Sequence, residues 1–257
     1  MVRDLWVGLL AVVVAVTVAH VAAACGAGAQ LSGTVAAVDA TGTLSLSDGR
    51  QIRLAGVVVG DDVAAQQYLI DTIIGRDVVL RGTPATRDRY GRIEAYVFAV
   101  GWGLPGKDLD RSVQRDMVEK GLVRVSARIS DRACAAEFLT SESQARQAGR
   151  GLWADARWRV LKADEPAKIL SQRGAFALVE GKVLSVREVG GSIYVNFGRR
   201  WTEDFTVTVA KRNAAALGGL DVKRLDHKLI RVRGWVEERG GPWIEVTRPE
   251  QIELIRN

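Results

Sequence analysis

Histidine and cysteine are nearly missing from this 257-residue chain, two of each, and the scarcity removes whole classes of chemistry. The histidines are His20, inside an apolar N-terminal run, and His227, in the polar stretch "RLDHKLI". Neither stands at metal-ligand spacing from a cysteine, which argues against a zinc site, and one body histidine gives little basis for a histidine-centred nucleophilic triad. His227 reads as a surface residue. The cysteines, Cys25 and Cys134, form no CxxC pair. If the N-terminal run is removed, Cys134 alone remains, no intrachain disulfide forms and stability comes from packing.

That run is the long apolar segment of the chain. "MVRD" precedes "LWVGLLAVVVAVTVA", and Ala27-Gly28-Ala29 before Gln30 offers the small-residue pattern of a signal-peptidase site. Residues 1–29 therefore read as an export signal. Two other readings stay open. Leu5 to Cys25, interrupted only by His20, is long enough for an uncleaved membrane anchor. "VAAAC" allows lipidation at Cys25, although alanine stands where a larger aliphatic residue is usual. All three put the body outside the cytoplasm: periplasmic, secreted or anchored to the membrane.

Anionic charge is the minority sign, with 36 Lys and Arg against 30 Asp and Glu and a net charge of +6. A basic exported protein is drawn to phosphates, anionic lipids or acidic polysaccharide, and charge alone does not choose among them.

With 47% hydrophobic residues the chain has material for two small domains. From Leu31 to Tyr96 short alternating strands are split by turn residues, with an Asp-Gly hairpin signal in "SDGR" between Leu44/Leu46 and Ile52/Leu54. Such spacing is a small β-barrel signature. "DDVAAQQYLIDTIIG" interrupts it with apolar residues at helical intervals. "DLDRSVQRDMVEKGLVRV" and "CAAEFLTSESQARQAGRGLW" read as amphipathic helices stopped by Gly121 and Gly149. The expected division is a first domain over residues 30–160, a polar linker over 161–173 carrying Pro166, and a strand-rich second domain over 174–257.

In this order and at these intervals, "IRLAG", "DRYGRIEAYV", "MVEKGLVRV" and "SESQARQAGRGLW" resemble the staphylococcal-nuclease-like (thermonuclease) family over about residues 31–155. The resemblance implies a five-stranded OB barrel with packing helices, and cleavage of DNA and RNA phosphodiesters with calcium. Arginines that fork onto phosphate suit a transition state whose charge gathers on the equatorial oxygens. Arg53 and Arg92 stand where the resemblance implies these arginines, with Tyr90 between Arg89 and Gly91 in "DRYGR".

The metal-binding half departs from the family pattern. Where the family has an Asp-Gly-Asp-Thr run, this chain has "VDATGTL", keeping Asp39 but placing Gly42 directly before Thr43. Val58 and Val59 occupy the next carboxylate region. Asp61 stands at the spacing of the water-activating glutamate, one methylene short, after Gly60, and Asp62 is a second candidate. A hard cation needs several oxygen ligands, so no cofactor is expected. Arg53 pairing with Asp61 or Asp62 as a purely structural ion pair is the other reading of that residue.

In the second domain, alternation puts Ile193, Val195 and Phe197 on one face and Tyr194 and Asn196 on the other. In "LIRVRGWVEE" it opposes Ile230, Val232 and Val236 to Arg231, Arg233 and Trp235. Arginines interleaved with an aromatic on an outer face suit a single-strand platform; an ordinary solvated sheet face is the alternative. "VRGWVEERGGPWIEVTRPEQIEL" resembles the small OB-fold domains appended to bacterial exported proteins, and implies a second small barrel.

The expected function is an exported, catalytically degenerate thermonuclease-like protein that binds single-stranded DNA or RNA, another polyanion or an envelope protein. Two alternatives remain: a nuclease of weak or altered metal dependence using Arg53, Arg92 and Asp61, and a structural envelope module.

Overall fold

The alternating stretches of the first half close on themselves. In the computed structural model, which describes residues 25–26, 30–60, 62–82, 87–101, 111–129, 131–214, 217 and 220–255, β1 (Gln30–Val38), β2 (Leu44–Leu46), β3 (Gln51–Leu54), β5 (Asp77–Arg81) and β6 (Ile93–Ala99) form a closed barrel in the order β1-β2-β3-β6-β5. Between β3 and β5 come the two-residue strand β4 (Val57–Val58) and helix α1 (Val63–Ile73). A five-stranded closed barrel in this order, with a helix between its third and fourth strands, is consistent with an OB fold. The side-chain period of two decides what each strand offers. In β3, Ile52 and Leu54 are buried while Gln51 and Arg53 point outward.

Helix α1 starts where Asp62 caps it, its carboxylate accepting from the Ala64 N–H at 2.8 Å. Helix α2 (Val113–Glu119) is capped by Ser112, and α3 (Arg132–Gln147) by Asp131. Val113, Met117, Cys134 and Phe138 on the latter two helices join the barrel core, each large apolar group contributing ~1.5–3 kcal/mol on burial. A two-residue strand, β7 (Arg124–Val125), pairs with β4.

The expectation of no disulfide applied to a chain cut after residue 29; with Cys25 present a bond forms. Cys25 is bonded to Cys134, 109 residues away, and both are buried. That expectation required Cys25 to leave with the leader, but the bond ties the segment before β1 to the first turn of α3. It also consumes the thiol that lipidation at Cys25 requires. The rest of the expected leader, apart from Gly26, lies outside the described residues, as does Asp61. Among the described residues no helix is long and apolar enough to cross a membrane.

The stretch expected as a linker is built into the second half. Leu161–Lys162 forms β8, parallel to β9 (Phe176–Lys182). Pro166–Leu170 forms the short helix α4, which buries Ile169 in the second core. Here two sheets share one core. One contains β10 (Ser185–Val189), β11 (Ser192–Asn196), β12 (Thr206–Ala210), β15 (Gly241–Val246) and β14 (Glu237–Arg239), in that order. The other runs β16 (Ile252–Leu254), β13 (Leu229–Trp235), β9, β8. Where a second small OB-like barrel was expected, the strands of the described residues make these two sheets.

The two halves are joined by apolar packing and buried charge. Phe176 and Leu178 of β9 pack with Ala145 of α3 and with Trp153. Arg233 of β13 is fully buried; it pairs with Glu142 of α3 at 2.8 Å and with Glu253 of β16, and donates to the Val125 carbonyl at 3.0 Å. Burial opposes the Arg233 charge, but the two carboxylates outweigh it and raise its pKa above the ordinary arginine value.

Candidate phosphate-binding cavity

Arg53 leaves the barrel wall from β3, and the parallel register of Ile52 with Ile93 brings Arg92, immediately before β6, beside the strand that carries it. Both line one open cavity of about 610 Å³ together with Arg89, Arg128, Tyr90 and Trp235. Among the described residues, four guanidinium groups therefore share the lining with a single carboxylate, Asp88.

That carboxylate is spent on local geometry. Its Oδ1 accepts from the Tyr90 and Arg92 backbone N–H groups at 2.8 and 3.0 Å, and its Oδ2 accepts from Arg92 Nε at 2.8 Å. Desolvation would raise the Asp88 pKa, but these bonds and the Arg92 charge hold it below the ordinary carboxylate value. Arg92 is thus aimed: Asp88 grips Nε and Nη2, while Nη1 donates to Thr43 Oγ1 at 3.3 Å. Arg53 has no hydrogen-bond or ion-pair partner among the described residues, and no bond from it to Asp62 forms. Asp62 instead serves as the α1 cap.

Tyr90 is 65% exposed, with the Arg89 and Arg92 guanidinium carbons 4.9 and 5.1 Å from its ring centre. Trp235 is 47% exposed and edge-on to Phe176. One aromatic face from each half of the molecule thus borders the arginines.

Calcium, which the family resemblance implies, meets a poor donor set here. The ion takes six to eight oxygen ligands. Asp39 Oδ1 accepts from the Thr41 N–H, the Thr41 hydroxyl and the Thr43 N–H, which shape its own turn. Burial would raise the Asp39 pKa, but those bonds lower it. Val57, Val58 and Val59 line the wall. Gly42, at φ +74°, leaves no room for a larger residue, because a Cβ there would lie 2.9 Å from Val59 Cγ2. Among the described residues no group of three or more His, Cys, Asp or Glu could hold a metal ion. The described donors do not fit calcium.

The three residues expected to form a platform on β13, Arg231, Arg233 and Trp235, are not brought together in the structure. Arg233 is buried at the junction. Arg231 is held between Glu180 and Glu253 at 2.6 and 3.2 Å. The alternation in β13 is in the expected phase, but the first domain covers the face that alternation alone leaves to solvent. Trp235, at the end of that strand, reaches the first-domain cavity, and Tyr194 lies in a separate groove. Sequence reasoning missed Arg89 and Arg128 as cavity residues. Arg89 was visible inside "DRYGR"; Arg128 carries no local signal, since only the β4–β7 pairing brings its segment here.

The closed barrel and its packing helices define an OB-type domain with an arginine-lined cavity on its wall. Residues 62–155 match the family model described as Staphylococcal nuclease homologue, and that segment is a staphylococcal-nuclease-like domain region of the chain. No curated protein matches the chain.

Proposed function

We propose that this is an exported protein that binds single-stranded nucleic acid through its nuclease-like barrel, and that the barrel no longer supports calcium-dependent cleavage. The observation that carries the reading is the cavity itself: four arginines, one of them, Arg53, without a partner among the described residues, bordered by Tyr90 and Trp235. Arginine and aromatic faces together serve phosphate attraction and sequence-tolerant stacking. The valine wall, the bonded Oδ1 of Asp39 and the bonded oxygens of Asp88 support the loss of metal chemistry. The buried Cys25–Cys134 bond supports an oxidising compartment.

The test is fluorescence anisotropy of the purified protein with a fluorescein-labelled 15-mer of dT, as single strand and as duplex, over a range of salt, alongside cleavage assays with calcium and chelator. The reading expects single-strand affinity to fall steeply with salt and no calcium-dependent cutting. Each phosphate that a variant no longer neutralises should flatten the log–log slope by about 0.7.

A second reading, a working phosphodiesterase of altered metal dependence, draws on Arg53 and Arg92 facing one cavity. Cleavage that disappears in both Arg53→Ala and Arg92→Ala would establish it. Absence of binding, or binding indifferent to salt, would favour a structural envelope module.

A further inference from the structure

The sheet β10-β11-β12-β15-β14 turns one face to the second core and the other to an open groove of about 870 Å³. Strand pairing builds the groove floor in rows: Arg187 lies opposite Tyr194, which lies opposite Thr208, and Thr206 pairs with Trp243. Its lining contains Arg187, Arg199 and Arg239 and, among the described residues, no carboxylate. Some cations elsewhere on the same half are paired, as where Lys211 and Lys223 both hold Glu188. In the groove Arg187 and Arg199 have no ion-pair partner among the described residues, and the carboxylate paired with Arg239 is Glu237 at 3.9 Å.

The aromatic content is equally uneven. Trp201 is 68% exposed and Tyr194 is 36% exposed. The Arg239 guanidinium lies 3.6 Å over the ring of Trp243, presenting its outer plane as a third flat surface. Trp243 is 4% exposed, and its Nε1 is buried without a hydrogen-bond partner, as is Thr206 Oγ1. Buried polar groups in native proteins are nearly always satisfied, so the groove floor holds unspent hydrogen-bonding capacity.

We infer that this groove is a second nucleic-acid site, separate from the barrel cavity, in which Tyr194, Trp201 and the Arg239–Trp243 stack receive successive bases of a single strand while Arg187 and Arg199 meet its phosphates. Three flat surfaces and three cations exceed what one nucleotide uses, which favours a strand over a free nucleotide. The inference shares its ligand with the proposed function but rests on different residues, so the two fail separately.

The experiment uses the whole protein and the fluorescein-labelled dT 15-mer, with Trp201→Ala and the double variant Arg187→Ala/Arg199→Ala, each alone and in an Arg53→Ala background. A 5-iodouracil-substituted strand, photocrosslinked and mapped by peptide mass spectrometry, gives a second readout. All altered side chains are surface groups, and circular dichroism checks the fold. Expected are an affinity loss of roughly 5-fold or more for Trp201→Ala, a shallower salt slope for the arginine pair, and crosslinks to the peptide containing Tyr194 or Trp201. If these variants bind like the parent while Arg53→Ala loses binding, the groove inference falls and the barrel reading stands. If the groove variants lose binding and Arg53→Ala does not, the reverse holds. Competition by dTMP as effective as unlabelled strand, or no strand binding at all, also overturns the inference.

Discussion

At the scale of single residues, Arg53 and Trp235 separate two kinds of interaction. Arg53→Ala removes a phosphate partner, so its affinity loss should be largest at low salt, with a flatter slope. Trp235→Ala removes a stacking face and should cost ~1–3 kcal/mol at every salt concentration, leaving the slope unchanged; anisotropy at four or five salt concentrations distinguishes them. Asp88 makes a pH prediction. Its pKa is lowered in the folded protein, so its hold on Arg92 is fully present above the ordinary carboxylate pKa of 3.8 and is lost as pH falls through the lower folded value. Binding of a dT strand should therefore be insensitive to Asp88 between pH 5 and pH 8 and change only in acid. A midpoint above about 4 in the Arg92 Nε NMR signal would contradict the assignment. Arg53 and Arg92 were legible in the sequence because both stand in short motifs. The occupation of Asp39, Asp62 and Asp88 by their own turns was not, since a carboxylate's partners are set by loop geometry.

At the scale of elements, the close crossings and the buried charges are the sensitive points. Gly121, at φ +70°, follows α2 where a Cβ would meet the Arg150 carbonyl at 2.2 Å. Gly121→Ala should cost at least ~1–2 kcal/mol from the left-handed backbone alone, with a further loss as the two segments separate. Gly149→Ala, where a Cβ meets nothing within 4 Å, should show only the backbone part. Urea unfolding of the two variants gives the comparison. Arg233→Met leaves Glu142 and Glu253 facing each other in the interior, and a loss of ~3–5 kcal/mol is expected in the same assay; a loss under ~1 kcal/mol would mean that water reaches the pair. The three helices of the first half and its β2–β3 hairpin were readable from periodicity and turn residues, whereas the short helix α4 stood inside the stretch expected as a linker. The burial of Arg233 was not, because alternation gives a residue's face but not what covers it.

At the scale of the whole molecule, the Cys25–Cys134 bond closes a loop of about 100 residues, for which chain entropy suggests up to ~4.7 kcal/mol, with 2–5 kcal/mol typical for loss of a native bond. Cys134→Ala should lower the unfolding midpoint, and reductant should lower the parent's midpoint similarly without affecting the variant. Under the proposed export, a leader cut that preserves the bond must fall before Cys25, and intact-mass measurement of the mature chain should then find Cys25 at or after its first residue. A mature chain that begins at Gln30 would lack the bond. The two halves also meet at the barrel cavity, which Trp235 of β13 and Arg53 of β3 both line. Separating them by truncation should therefore weaken strand binding even with every arginine of the barrel intact.

The sequence alone determined the barrel, its helices, the arginine pair and the valines beside it, because strand alternation, helix periodicity, caps and short motifs are local and written in neighbouring residues. Only the tertiary structure decided that Cys25 and Cys134 meet, that the linker joins the second sheet, that Arg231 and Arg233 are spent on internal carboxylates, and that Trp235 and Arg128 reach the barrel's cavity. Each of these depends on which surfaces come together across long stretches of chain, where burial and charge pairing compete, and no local pattern encodes the outcome.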